Sequence, residues 1–149
     1  MKREKISYGQ LNNQNLKTVI ALSRATQGIH KRTSALVARS GLTISQFAVL
    51  EALYHKGSMN INEIIQAVLS TSGNMTVVIS NLEKQDLITK CIHPQDKRSS
   101  LIAITDQGRE RIEEIFPKHL KDLREVFEVL TGEEKTALAE ILKKLSAKL

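Results

Sequence analysis

Ser70-Thr71-Ser72-Gly73-Asn74-Met75-Thr76, continued by Val77-Val78-Ile79-Ser80-Asn81-Leu82-Glu83-Lys84-Gln85-Asp86 and then Leu87-Ile88-Thr89-Lys90-Cys91-Ile92-His93, is the stretch on which the reading of the fold turns. Its first five residues are short and polar, the composition of a turn that leads into a new helix N-cap. Met75, Val78, Ile79 and Leu82 then recur at helical spacing, which predicts a helix beginning near Ser72 and stopping near Asp86. From Leu87 the period shortens: Leu87, Thr89, Cys91 and His93 alternate with Ile88, Lys90 and Ile92. Pro94-Gln95-Asp96-Lys97-Arg98-Ser99 supplies turn residues, and residues 100–104 are strand-like again. A helix running directly into a β-hairpin with a polar, basic tip is expected.

Working outward, the flanking segments are helical and most carry their own start signals. Thr43-Ile44-Ser45-Gln46 has the spacing of a capping box, in which hydroxyl and amide side chains satisfy free backbone N–H groups. Leu42 and Phe47 occupy the staple positions beside it. That helix should reach Tyr54 or His55 and end at Gly57. Asn60-Ile61-Asn62-Glu63 opens a short helix in the same way. Upstream, Asn15 to Arg39 contains no proline and has more than one apolar face, as expected of a long helix packed on several sides; Gly41 is its stop. Downstream, Thr105 caps a helix from Asp106 to about Val129, with Pro117 expected to bend it. Thr131-Gly132-Glu133-Glu134 is a further capping box, and the last helix carries Ala137, Leu138, Ile141, Leu142 and Leu145 along one side.

The 149 residues allow one compact domain and leave no room for two independent ones. No apolar run approaches the roughly 20 residues that span a bilayer, and residues 1–10 have no signal-peptide pattern, so no membrane association and a cytoplasmic location are expected. The single cysteine, Cys91, excludes a disulfide framework and any CxxC motif. The formal charge of +6 is concentrated: residues 1–40 carry eight Lys or Arg against one Glu, whereas residues 106–149 carry nine basic and ten acidic side chains. Such a balance admits an anionic partner, because Lys and Arg that neutralise phosphates release condensed counterions.

Two short helices joined by a tight turn, the second followed by a hairpin, form a winged helix-turn-helix. An α-helix fits the DNA major groove, its N-terminal residues meet base edges, and its positive dipole end faces phosphates. Ser70, Thr71, Ser72, Asn74 and Thr76 place short donors and acceptors where that helix would enter. They also suit an ordinary turn and cap. Arg98 on a projecting wing can reach a narrow minor groove, and Asp96 is positioned to pair with its guanidinium and hold it in one direction. A solvated turn would carry the same residues.

At these residues the chain resembles the MarR family of regulators. Residues 70–76 with 81–88 look like the family's recognition helix, and Asp96-Lys97-Arg98-Ser99 followed by Ile104-Thr105-Asp106-Gln107-Gly108 looks like its wing and next helix. The resemblance covers essentially the whole chain. It implies a mainly α fold, a winged helix-turn-helix with long N- and C-terminal dimerisation helices. Residues 1–149 would form a single domain, in which about 1–40 and 106–149 dimerise and about 43–105 form the DNA-binding lobe. It further implies an obligate homodimer on palindromic double-stranded DNA, usually a repressor, released when a small, often aromatic or phenolic effector binds between dimer core and lobe. Carried over residue by residue, Ser70, Thr71, Ser72, Asn74 and Thr76 match DNA-meeting positions, and Arg98 matches the wing arginine, supported by Asp96. One departure is plain: family recognition helices often hold a central Arg or Lys, but Gly73 to Leu82 is uncharged here. Lys97, Arg98 and basic residues elsewhere, such as Lys31, Arg32 and Arg39, would then carry more of the affinity.

The segments 115–119 and 126–131 resemble a branch of the family associated with quinone and phenol responses, and Ile29, Phe47, Tyr54 and Met59 are candidate pocket-lining residues, although apolar residues at such spacing are more often core than ligand contacts. Cys91 falls on a wing strand, where a packed or half-exposed thiol is the commoner outcome and reactivity would need nearby positive charge. His30, His55, His93 and His119 are far apart in the chain, so no metal site or cofactor is expected. No nucleophile elbow, P-loop or GxGxxG motif points to an enzyme. The competing reading is a winged helix used for protein contacts without strong DNA binding, which the uncharged helix would permit.

Overall fold

The computed structural model describes residues 6–68 and 72–149, with the side chains of residues 72 and 73 outside that description. Its elements are α1 (Gln10–Ala38), α2 (Ile44–Lys56), α3 (Ile61–Val68), α4 (Ser72–Lys84), β1 (Ile88–Ile92), β2 (Ser100–Ile104), α5 (Asp106–Phe127) and α6 (Gly132–Ser146). This is the mainly α winged helix-turn-helix expected from the sequence. Among the described residues no helix is long and apolar enough to cross a membrane.

Local chemistry sets most of the boundaries. Thr43 Oγ1 accepts from the Gln46 N–H at 3.1 Å while Gln46 Oε1 accepts from the Thr43 N–H at 2.9 Å, closing the capping box of α2. Asn60 and Glu63 exchange the equivalent pair at 2.9 and 2.8 Å at the start of α3. Thr131 and Glu134 do so for α6, at 3.2 and 2.8 Å. Each box satisfies donors that the first helical turn leaves unpaired. At the end of α2, Gly57 adopts φ 85°, a left-handed conformation that costs glycine nothing.

Two boundaries differ from expectation. α1 begins at Gln10 rather than Asn15, because Asn13 braces the entry: its Oδ1 accepts from the Tyr8 N–H at 3.1 Å and its Nδ2 donates to Ser7 Oγ at 2.8 Å. Asparagines at 12, 13 and 15 argue against a helix interior by propensity alone, and local side-chain bonding overrides that. α4, by contrast, begins at Ser72, as the sequence predicts. Pro117 does not interrupt α5, which is continuous to Phe127 and stops short of Val129.

One apolar core holds these elements together. Val37 at the end of α1 joins Phe47, Val49, Leu50 and Leu53 from α2, Ile64 from α3, Met75, Val78, Ile79 and Leu82 from α4, Ile88 and Ile102 from the hairpin, and Ile112 and Ile115 from α5. β1 and β2 pair antiparallel, with Ile88 opposite Ile104 and Ile92 opposite Ser100. The hairpin gains a third backbone partner that the sequence did not announce: Met59 and Ile102 exchange N–H···O bonds at 3.0 and 2.8 Å. Asp86, at φ 58°, turns the chain from α4 into β1, and its carbonyl accepts the Thr105 hydroxyl at 2.6 Å. Gly108 allows the first turn of α5 to lie against this junction. A Cβ there would overlap the Leu87 carbonyl oxygen and come within 2.7 Å of Ile104 Cγ1.

Two struts join α1 to α5. The Arg32 guanidinium donates to Asp122 Oδ1 at 2.5 Å and to Glu125 Oε2 at 3.1 Å. Hydrogen bonding to Asp122, then its charge, holds the Arg32 pKa above the ordinary arginine value against a smaller opposing effect of burial. Arg111 Nη1 donates to the Ser40 carbonyl at 2.6 Å and ties down the end of α1.

Candidate nucleic-acid interface

α4 is anchored by its inward stripe, Met75, Val78, Ile79 and Leu82, none of which is more than 6% exposed. With 3.6 residues per turn that stripe forces Asn74, Thr76, Val77 and Asn81 outward, and all four are exposed. Ser70 and Thr71 lie outside the described residues, as does the side chain of Ser72. Of the five helix residues the sequence singles out, Asn74 and Thr76 are therefore the two whose side chains can be placed.

The wing tip is built on hydrogen bonds that differ from expectation in one respect. Asp96, Lys97 and Arg98 are all exposed. Asp96 Oδ1 accepts from the backbone N–H of Arg98 at 3.0 Å, and among the described residues it makes no ion pair with the guanidinium. Two residues is the spacing of an Asx-turn, so the nearby amide captures the carboxylate before a long, mobile side chain can. Asp96 thus shapes the turn that presents Arg98 and leaves the guanidinium free of it. His93 completes the tip: its Nδ1 accepts from the Gln95 and Asp96 N–H groups at 3.1 and 3.2 Å, and its own N–H donates to the Ser99 carbonyl at 3.1 Å. From the sequence, His93 is weighed as a metal ligand and as a positive charge near Cys91, and not as part of the turn. Its place beside Pro94, at the mouth of a turn, was the available signal.

Helix and wing meet across one groove, lined among others by Asn60, Asn62, Thr76, Lys90, Asp96 and Arg98. Thr76 from α4 and Arg98 from the wing, 22 positions apart in the sequence, face the same cleft. Lys90 Nζ pairs with Glu83 Oε2 at 3.0 Å, linking β1 to the last turn of α4. Hydroxyl and amide donors on one side and a guanidinium on the other are the groups that bond phosphate and base edges. Arg32, a candidate for extra phosphate contacts, is instead engaged by Asp122 and Glu125.

The four candidate pocket residues are dispersed. Phe47 and Met59, at 3% and 7% exposed, belong to the core. Met59 is held there by its backbone pairing with Ile102. Ile29 is half-buried on α1. Tyr54 is half-buried too, with its hydroxyl donating to Glu113 Oε1 at 3.2 Å and the Arg109 guanidinium 6.0 Å from its ring centre.

What the fold assembles instead is a cluster of rings between α2 and α5. His55 lies 4.8 Å from Phe116, ring centre to ring centre, and His119 lies 5.3 Å from Phe47 with its ring edge-on. Tyr54 extends the cluster at 5.1 Å from His55. Two imidazoles that are 64 positions apart thus flank one phenylalanine. His119 Nδ1 is buried in this cluster and Asp122 Oδ2 one turn further along α5, both without a hydrogen-bond partner among the described residues. No group of three or more His, Cys, Asp or Glu side chains among the described residues is placed to hold a metal. Cys91 is exposed, and its thiol donates to the Leu101 carbonyl at 3.4 Å.

Comparison with known proteins agrees with this geometry. A model of the MarR family matches residues 42–100, the span from the start of the core to the end of the wing tip. The HTH-type transcriptional regulator MhqR of Bacillus subtilis is 35% identical over 135 residues, which span 91% of this chain and 93% of that protein. Among solved structures, Sco3205 of Streptomyces coelicolor, a MarR family transcriptional regulator in complex with DNA, superposes with a TM-score of 0.84 at 20% identity, covering 99% of this chain and 93% of its own. BpsR of Bordetella bronchiseptica, whose DNA binding is regulated by 6-hydroxynicotinic acid, superposes with a TM-score of 0.73 at 28% identity, covering 87% and 98%.

Proposed function

The chain belongs to the MarR family of DNA-binding transcriptional regulators, and from that premise we propose that it is a homodimeric repressor released from a palindromic operator by a small aromatic effector. The groove shared by Thr76 of α4 and Arg98 of the wing carries this reading. α4 enters the major groove with Asn74 and Thr76 near its leading end, while the wing tip, shaped by Asp96 and His93, sends Arg98 and Lys97 to the adjoining phosphates and minor groove. Ser70, Thr71 and Ser72 belong to the same proposed contact by their positions in the sequence.

Dimerisation is supported by the terminal helices. α6 has no buried residue, and Leu138, Ile141 and Leu145 stand 40–63% exposed along it; Leu16, Val19 and Ile20 of α1 stand 45–53% exposed. Apolar stripes of this length in a water-facing position fit an interface between copies. Residues 1–40 and 106–149 would thus form the dimer region and 43–105 the reading lobe. The effector would sit beside the ring cluster, near candidate residues Phe47 and Tyr54; the support is His119 Nδ1, buried there without a partner among the described residues and suited to bond a ring substituent.

Salt titration of operator binding tests the reading. Affinity should fall steeply as salt rises, and Arg98→Ala should weaken binding by about 1–3 kcal/mol and reduce the salt slope by about 1, with the dimer intact. Binding that ignores salt would instead make the chain a winged-helix protein-interaction module. An unchanged Arg98→Ala affinity would remove the wing from the mechanism.

A further inference from the structure

We infer that α4 selects A·T base pairs by touching thymine methyl groups with Val77, flanked by Asn74 and Asn81 as readers of adenine. The inference rests on the reading of α4 as the helix in the major groove and specifies what it recognises there. Val77 is 55% exposed, although the same helix buries Met75, Val78, Ile79 and Leu82 almost completely. At about 100° per residue, Val77 and Ser80 lie opposite that buried stripe, so the centre of the outward face is an apolar, β-branched side chain. A lone exposed valine on an ordinary surface would need no explanation. Its position at the middle of the face that meets the bases is what gives it meaning, because valine is a poorer helix former than the polar residues usual at exposed helical sites.

The surrounding residues narrow the chemistry. Guanine is read chiefly by Arg or Lys reaching O6 and N7, and no residue from Gly73 to Leu82 carries a charge. Of the charged side chains that follow, Glu83 is paired with Lys90 at 3.0 Å, and Lys84 is in the helix's last turn, about 10 Å along the axis from Val77 and away from the leading end that meets the bases. Asn74, Val77 and Asn81 follow one another at spacings of three and four on the exposed surface. The stripe is about 10 Å long, about three base-pair steps. An amide pairs with adenine N6 and N7, and an apolar group packs on the C5-methyl of thymine. Amide, methyl, amide is therefore a reader of A·T pairs, with the thymine methyl under Val77 as its centre.

The test uses the full chain and operators selected from random-sequence DNA duplexes. Each thymine of a selected operator is replaced in turn by deoxyuridine, which deletes the methyl and leaves base pairing unchanged. The expected result is a loss of about fourfold at one position per half-site, and about fifteenfold when the symmetric pair is replaced. Val77→Ser should bind the thymine and uracil duplexes equally, and Val77→Ile should restore the difference. A protein that selects a defined operator but tolerates uracil everywhere overturns the inference and leaves the DNA-reading function standing. Guanine or cytosine at the positions under α4, or a uracil penalty that persists in Val77→Ser, overturns it as well. A protein that selects no sequence at all overturns both. The uracil series needs no variant, so the result does not depend on how Val77→Ser folds.

Discussion

Among the described residues, the reading lobe and the first half of α5, from Leu42 to Ile115, supply all of the buried apolar core except Val37, whereas α6 buries nothing and the N-terminal half of α1 leaves Leu16, Val19 and Ile20 about half exposed. Both regions are built from amphipathic helices with apolar residues three and four apart, and two of the three reciprocal capping boxes lie in the lobe while the third opens α6. The difference is in what covers the apolar side. In the lobe, α2, α3, α4, α5 and the hairpin cover one another. In the terminal helices no described segment covers these side chains, and water faces groups whose transfer from it is favourable. In the proposed dimer, the reading lobe would rest on contacts within one chain and the terminal helices on contacts between copies.

The largest effect should come from the uncovered side. Ile141→Asp places a charge in the α6 stripe, and since a symmetric dimer feels each substitution twice, association should weaken by about 1.5–3 kcal/mol for each copy. Analytical ultracentrifugation should find mostly monomer at concentrations where the parent chain is dimeric. A variant that remains dimeric would place the interface elsewhere. Leu53→Ala strikes the covered side: Leu53 is fully buried, and its truncation should cost about 2–5 kcal/mol of unfolding free energy. The dimer should remain intact at moderate temperature. If Leu53→Ala dissociates the dimer as readily as Ile141→Asp does, the two regions do not divide the work in this way.

The sequence disclosed the lobe better than it disclosed the site, for a physical reason. A capping box is a bond between residues three apart, so Thr43 with Gln46, Asn60 with Glu63 and Thr131 with Glu134 can be read from spacing alone, and all three pairs form. The hairpin was visible for the same reason, as a change of period at Leu87. Arg98 stands out in the sequence because a basic residue in a six-residue polar turn is conspicuous, but the partner of Asp96 differs from the one expected: a long guanidinium and a nearby amide compete for one carboxylate, and the amide wins by proximity. The ring cluster was invisible, since only tertiary folding carries His55 and His119 to the same phenylalanine. For Met59 the sequence left pocket and core both open, since an isolated apolar side chain before a helix has no period, and its pairing with Ile102 depends on a strand more than 40 positions away.

The capping boxes allow the same comparison at smaller scale, with the chemistry held constant. Thr43→Ala and Thr131→Ala each remove a hydroxyl that accepts a backbone N–H at 3.1–3.2 Å, and each should cost about 1 kcal/mol. The sums are alike but the dependence on protein concentration is not. α2 is fastened by Phe47, Val49, Leu50 and Leu53, so loss of its cap should lower the melting temperature by the same amount in dilute and concentrated samples. α6 has no buried residue of its own, so weakening its cap raises the cost of forming the helix that the dimer needs, and the shift should grow on dilution. Thermal unfolding followed by circular dichroism over a hundredfold range of concentration separates the two. Parallel behaviour of the two variants would mean that α6 is held within one chain and that its exposed stripe has another purpose.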